Sequence, residues 1–238
     1  MERLVSLVSG GGSTMQEIAR AIERGDVQGM KMAGVIASRP DAGGIAKARA
    51  LNVPIDIVDP RTYRNQGKID REAFGRRLLD VLENRFGATV VTQNGWIPLT
   101  PSSVTAAYEG RMFNQHPGPP EQFGGKGMMG KAVHAAILKF QELAGRTFAT
   151  SVVGHHADAK LDEGGVVLRR PVEVRSGDTV DSLQERALPE EHVAQIQMLQ
   201  AFVKGELRTL EPELLVHPDE MHLLEEAKRY AIAAYPKG

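Results

Sequence analysis

The stretch Arg3-Leu4-Val5-Ser6-Leu7-Val8-Ser9-Gly10-Gly11-Gly12-Ser13-Thr14 decides the fold class. Arg3–Val8 reads as a strand buried on both faces, because its apolar residues form a run rather than alternating with polar ones. Glycines follow at once, and Ser13–Arg24 then carries a helical pattern with Ser13 or Thr14 near its N-cap. A strand that hands over through glycines to a helix is how a parallel α/β sheet begins. Working outward, Met30–Ile36 reads as the next strand, 43–51 as a helix and Val53–Val58 as a third strand. Lys68–Phe86 reads as one long amphipathic helix and Ala88–Thr92 as a fourth strand. This alternation predicts parallel strands joined by right-handed crossovers.

The pattern changes after Thr100. Arg111–Asn114 reads as a strand that runs into a proline- and glycine-rich loop from His116 to Gly130. Lys131–Leu143 is predicted helical, Thr147–His155 and Val166–Val174 as strands, and Val180–Lys204 as one helical region despite Pro189. A last helix is expected from about Glu220, with Pro218 leading into it. No internal repeat or linker interrupts the chain.

Composition narrows the function classes. Of 238 residues, 42% are hydrophobic and 25% charged, as in an ordinary globular protein. The formal net charge of −1 argues against a nucleic-acid binder, which needs a basic surface to displace counterions. The chain has no cysteine, so disulfides and thiolate metal sites are excluded. The first apolar run is too short for a signal peptide or a membrane span and has no basic region before it. The expectation is a soluble, cytoplasmic protein with no membrane partner.

Four segments carry candidate chemistry. Ser9–Thr14 places glycines and a helix N-terminus at the end of a leading parallel strand, where free N–H groups suit an anion. The plainer reading is a tight turn. The spacing is not a dinucleotide fingerprint, and no Gly-Lys-Ser/Thr follows as in a P-loop, so a single phosphate fits best. Asn114-Gln115-His116 puts an amide and an imidazole two residues apart on an extended chain, facing one way. Such a pair could stabilise an oxyanion and move a proton, or it could be a strand end with a surface histidine. His155 to Gly165 holds two histidines and two aspartates. Adjacent strand residues face opposite sides, so His155 and His156 would not share an ion, and no metal is expected. Acid–base chemistry needs only Asp162 to approach His116, whereas the bland reading is an acidic loop closed by a Gly-Gly turn. Trp96 could wall a pocket for a flat ring, or sit in the core. Phe123–Gly130 reads as a mobile lid or a long connection.

Taken in order, a strand then Ser-Gly-x-Gly-Ser, a strand then Asn-x-His-Pro, and later Leu-Asp-x-Gly-Gly resemble the phosphoribosylglycinamide formyltransferase family, and Glu191-His192 adds to the likeness. The resemblance runs from the first strand through about Leu207. It implies an α/β fold with a Rossmann-like, mostly parallel twisted sheet, helices on both faces and a C-terminal helical tail. It divides the chain into a formyltransferase domain over 1–207 and a helical extension over 208–238. Within that domain, about 1–100 would bind phosphate and about 101–207 would hold folate and catalysis. The resemblance further implies Asn114, His116 and Asp162 as catalytic residues. Gly11, Gly12, Ser13 and Thr14, with Arg71 and Glu191, would meet the substrate's phosphate and ribose. Trp96, Ile97, Pro98 and Leu99, with Ala157, Asp158, Ala159, Lys160 and Leu161, would hold the folate.

The implied reaction transfers formyl from 10-formyltetrahydrofolate, a co-substrate, to the amine of glycinamide ribonucleotide in purine biosynthesis, with no metal. Partners would be small molecules, and a homodimer stays open. The sequence departs from the commoner family pattern at Thr14, where asparagine is usual. It departs again at Trp96-Ile97-Pro98-Leu99, which lacks the usual arginine, and at Gly118-Pro119-Pro120-Glu121.

Other readings remain. Formyltransferases acting on initiator methionyl-tRNA carry a basic RNA-binding surface and a C-terminal β-barrel, whereas here the segment after Leu207 reads helical and acidic. Formyl-folate hydrolases usually carry an N-terminal regulatory domain, and here the sequence starts at the first strand. A formyltransferase acting on an amino sugar nucleotide would keep the same chemistry. A non-catalytic phosphate-binding module would need none of the three catalytic residues.

Overall fold

Leu4, Val5, Leu7 and Val8 have no solvent exposure, because β1 (Glu2–Val8) is covered on both faces. In the computed structural model, which describes residues 1–158 and 162–236, the chain forms two compact units. The first comprises Met1–Asn114 with residues 156–158 and 199–207, and the second comprises 115–155, 162–198 and 208–236.

In the first unit, β1 leads to α1 (Ser13–Glu23), β2 (Met30–Ala37), α2 (Gly44–Ala50) and β3 (Ile55–Ile57). A two-stranded hairpin of β4 (Arg64–Asn65) and β5 (Lys68–Ile69) precedes α3 (Arg71–Asp80), a π-turn over Val81–Arg85 and β6 (Val90–Gln93). Then come α4 (Ser102–Ala107) and β7 (Met112–His116). β2 and β6 flank β1 in parallel, β3 lies beyond β2 and β7 beyond β6, also in parallel. The period-2 alternation of a strand sorts the core. Val5, Leu7 and Ile36 pack with Phe74, Leu78 and Leu82 of the α3 side. Val8, Val35 and Ala37 pack with Met15, Ile45 and Ala48 of α1 and α2. Helices therefore cover both faces, as the sequence predicts.

The second unit contains α5 (Pro120–Phe123), α6 (Lys131–Ala144), β8 (Thr150–His156) and β9 (Val166–Val172). α7 (Val180–Lys204) and α8 (Met221–Ala234) complete the chain. β8 and β9 pair antiparallel, so the sheet, in the order β3-β2-β1-β6-β7-β8-β9, is mixed. The core of this unit joins Phe123, Ile137 and Phe140 to Val152, Leu183 and, from α8, Leu224, Ala227 and Ala231. No helix among the described residues is long and apolar enough to cross a membrane.

Several boundaries differ from expectation, each for a local reason. The helix expected over Lys68–Phe86 starts at Arg71, because the Asp70 carboxylate accepts the Ala73 N–H at 2.9 Å and fixes the N-cap there. Lys68 and Ile69 pair instead with Arg64 and Asn65. The N-cap of α1 is Gly12, and Ser13 and Thr14 already lie in the helix. The strand expected over Arg111–Asn114 continues to His116, α5 occupies a stretch read as loop, and α4 lies where the sequence predicts no element.

Candidate active site

In a doubly wound sheet, ligands bind beyond the carboxyl ends of the strands, where the strand order reverses. β1 is that point here, since β2 and β3 lie on one side of it and β6 and β7 on the other. Its carboxyl end runs into Ser9–Gly12. Gly12 adopts φ +66°, and a Cβ there would lie 2.7 Å from Gly44 Cα, so the turn admits only glycine. No side chain caps α1, and its first turn contains no acidic residue. The unmet N–H groups of that turn carry the positive end of the helix dipole. Thr14 is buried, whereas Gly11 is exposed.

Beside this turn a cavity of about 450 Å³ is lined from the ends of β1, β2, β3 and β6. Ile97, Pro98, Leu99, Ile69 and Phe74 form its apolar part, and Arg39, Arg61 and Arg71 its cationic part. Arg39 Nε donates to the Ser9 carbonyl at 2.9 Å, and Arg61 is gripped by the Asp59 carboxylate. Trp96 is buried, stacked on Phe74 and donating to Thr100 Oγ1 at 3.1 Å, so Ile97 and Leu99 are the exposed part of that segment. Also in the first unit, Asn114 is half-buried in β7, in register with Gln93. Ala157 N–H donates to the Met112 carbonyl at 2.9 Å, and Asp158 is exposed. Ala159, Lys160 and Leu161 lie outside the described residues.

The second unit holds an imidazole–carboxylate centre. His116 is 3% exposed. Its Nδ1 faces the Gly118 carbonyl at 2.9 Å, and its Nε2 faces the Met128 carbonyl at 3.2 Å and Asp162 Oδ2 at 3.8 Å. Each of these three partners is an acceptor, so between them they can take a hydrogen bond from both ring nitrogens. Asp162 Oδ2 accepts the Gly125 N–H at 3.1 Å, and Oδ1 lies 3.8 Å from His155 Nε2. Asp162 holds φ +58°, a left-handed conformation that aspartate and asparagine tolerate better than most residues. Burial, with His116 nearby, pushes His134 down to about 4, so that ring stays neutral beside the centre.

Glu191, on α7, accepts from Gln115 Nε2 at 2.9 Å. Burial pushes its carboxyl up to about 7. The folded state therefore binds a proton that the unfolded chain releases, and the resulting stability is present below the ordinary carboxylate range and lost as pH rises through about 7. Glu191→Gln should flatten that dependence, so urea melts at pH 5 and pH 8 should differ less for the variant than for the parent. An unchanged difference would show that Glu191 does not titrate across this range.

The structure thus brings His116 and Asp162 together, and it places Arg71 on one cavity with Ile97, Pro98 and Leu99. Among the described residues, no three His, Cys, Asp or Glu side chains are grouped for a metal ion. Sequence reading missed Arg39 and Arg61. Arg39 stands just past β2, and a base at the carboxyl end of a parallel strand was the available signal. His155 and His156 are weighed in the sequence only as metal ligands, whereas His155 faces the Asp162 carboxylate.

An uncapped helix N-terminus at a topological switch point, a ligand-sized cavity and a buried imidazole–carboxylate contact are the parts of an α/β group-transfer enzyme. The family model described as Formyl transferase matches residues 2–199, and the chain belongs to that family. It is 29% identical over 209 residues to phosphoribosylglycinamide formyltransferase, chloroplastic, of Arabidopsis thaliana, covering 87% of this chain and 67% of that protein. The Vigna unguiculata protein of the same name is also 29% identical, over 84% of this chain and 61% of its own length. The chain thus spans about two thirds or less of these plant relatives. Glycinamide ribonucleotide transformylase 1 from Symbiobacterium toebii superposes with TM-score 0.75 at 28% identity, covering 89% of this chain and 95% of that one.

Proposed function

We propose that this chain transfers the formyl group of 10-formyltetrahydrofolate to the amine of glycinamide ribonucleotide, a step of de novo purine biosynthesis carried out in the cytoplasm. The observation that carries this reading is the buried His116–Asp162 contact in a member of the formyl transferase family. In this reading residues 1–207 carry the chemistry, and the segment from 208 onward is an addition to them.

The acceptor's amine attacks the formyl carbon, and negative charge gathers on the formyl oxygen. His116 donates to that oxygen, and Asn114, two residues earlier on the same strand, supplies a second donor. Asp162 balances the imidazolium and accepts the proton lost by the attacking amine. Collapse of the tetrahedral intermediate breaks the bond to N10 and releases tetrahydrofolate, with N10 taking up a proton. One oxyanion donor contributes on the order of a hundred- to a thousandfold in rate. The first turn of α1 offers N–H groups to the acceptor's phosphate, and Glu191 offers its carboxyl to the ribose hydroxyls. The apolar wall of Ile97, Pro98 and Leu99 suits the flat part of a folate, Arg71 suits the acceptor's phosphate, and Arg39 and Arg61 suit the folate's carboxylates. A volume of about 450 Å³ falls in the range of small-ligand clefts.

The test mixes the protein with 10-formyltetrahydrofolate and glycinamide ribonucleotide and follows deformylated folate by ultraviolet absorbance. Release that requires the ribonucleotide is the expected result. Folate binding without turnover would transfer the reading to another amine, such as an amino sugar nucleotide. No folate binding would leave a phosphate-binding module.

A further inference from the structure

The segment from residue 208 lies beyond the stretch matched by the family model, yet it is fastened to the loop that surrounds the catalytic pair. Gln122, buried in α5 immediately before that loop, makes three hydrogen bonds to it. Its Oε1 accepts from the N–H groups of Leu215 at 2.6 Å and Val216 at 2.9 Å, and its Nε2 donates to the Val216 carbonyl at 2.8 Å. After the loop, α6 shares its core with Leu224, Ala227 and Ala231 of α8. Arg146, just past α6, grips Glu220 at the start of α8, and this pairing holds the Glu220 carboxyl down at about 2. Both flanks of the loop are therefore tied to the C-terminal segment.

Within the loop, Met128 shares the core with α8, and Gly127 lies under one of its side chains. Gly127 has φ +82°, and a Cβ on it would lie 3.1 Å from Ile232 Cγ1, so the isoleucine lies directly over its backbone. Two residues before Gly127, the Gly125 N–H donates to Asp162. One residue after it, the Met128 carbonyl faces His116 Nε2. The Met128 N–H donates to the Gly125 carbonyl at 3.0 Å, closing the turn between them. The two catalytic groups are thus oriented by backbone atoms on either side of the residue that Ile232 covers. One turn earlier on α8, burial holds the amine of half-buried Lys228 below the ordinary lysine range, against the opposing charges of Glu225 and Asp162. Asp162 also faces His116 from β7 and His155 from β8.

We propose that α8 is a positioning element of the formyl-transfer centre, with Ile232 holding the Gly124–Gly130 loop so that it orients His116 and Asp162. The proposal rests on the reaction assigned above, and its core contact does not. Ile232 is 36% exposed, so truncating it removes the contact with Gly127 while leaving the packed face of α8 in place.

The test compares Ile232→Ala and Ile232→Val with the parent by amide hydrogen exchange and by formyl-transfer kinetics. In the alanine variant, exchange at Gly125 and Met128 should quicken and kcat should fall about tenfold. Both KM values should hold, and melting should stay within about 2 °C of the parent. Valine, which keeps both γ carbons over the glycine and loses only Cδ1, should restore most of kcat. Unchanged exchange in Ile232→Ala, or faster exchange with full kcat, overturns the proposal. A parent protein that transfers no formyl group would instead remove the assigned reaction. Exchange at Gly125 would still decide whether Ile232 holds the loop.

Discussion

Asp162→Asn is expected to lower kcat on the order of a hundred- to a thousandfold while leaving the melting temperature and the folate KM near those of the parent. The carboxylate faces one imidazole from each oxygen, His116 at 3.8 Å and His155 at 3.8 Å, and Oδ2 also accepts the Gly125 N–H. Asparagine has the same shape, and its oxygen can keep the Gly125 bond. It also accepts the left-handed backbone that Asp162 adopts, φ +58°, at little cost. What it removes is the negative charge. A nearby carboxylate favours a charged imidazole over a neutral one, so the variant loses the group that balances a protonated His116. It also loses the carboxylate that faces that ring at 3.8 Å, and with it the proposed acceptor of the amine proton. Asp162→Ala is a poorer test, because alanine in a left-handed conformation adds strain that would mix stability with chemistry. Steady-state kinetics with thermal melts on the asparagine variant decide the point. Near-parental turnover would remove Asp162 from the reaction.

The sequence reading reached this contact by an indirect route, which shows where such reading works. Periodicity placed β1, β2, β6 and β8 because buried strands are written as apolar runs, and the glycines after β1 marked the switch point. Asp162 and His116 are 46 positions apart, and nothing local joins them. The ordered motifs supplied the pairing. Periodicity failed where side chains reach sideways. The start of α3 was set by one carboxylate on Asp70, and the hairpin before it by pairing of two-residue strands, neither of which has a period. The type of Trp96 alone left a pocket wall and a core position both open. Its burial follows from stacking on Phe74, 22 residues earlier. The C-terminal segment read simply as a helix. Its attachment to the glycine loop depends on Gln122 and Ile232, whose partners lie about a hundred residues away in sequence.

Gly12→Ala should raise the KM for the phosphorylated acceptor at least tenfold and lower the melting temperature, with folate binding the less affected. Two costs fall on one methyl group. Alanine at φ +66° sits in a region that L-residues avoid, at about 1–3 kcal/mol. The added carbon would also lie 2.7 Å from Gly44 Cα, a backbone atom that cannot swing aside. Nor can α2 retreat freely. Gly44 N–H donates to the Gly10 carbonyl at 3.0 Å, and Gly44 packs against Val8. The strain must therefore be relieved on the other side, by moving the Ser9–Gly12 turn and the first N–H groups of α1 with it. Those groups are the ones assigned to the phosphate, and a hydrogen bond to a charged partner is worth about 1.5–3 kcal/mol, which is where the tenfold or greater KM effect comes from. At about 2–4 °C per kcal/mol for a chain of this size, the strain alone predicts a fall of about 2–12 °C. Gly11→Ala is the matched control, since a Cβ there meets nothing within 4 Å. It should melt like the parent, so a large loss in both variants would point to turn flexibility rather than to the close approach of Gly12 and Gly44. If Gly12→Ala melts lower but keeps the acceptor KM, the phosphate is bound somewhere other than the first turn of α1.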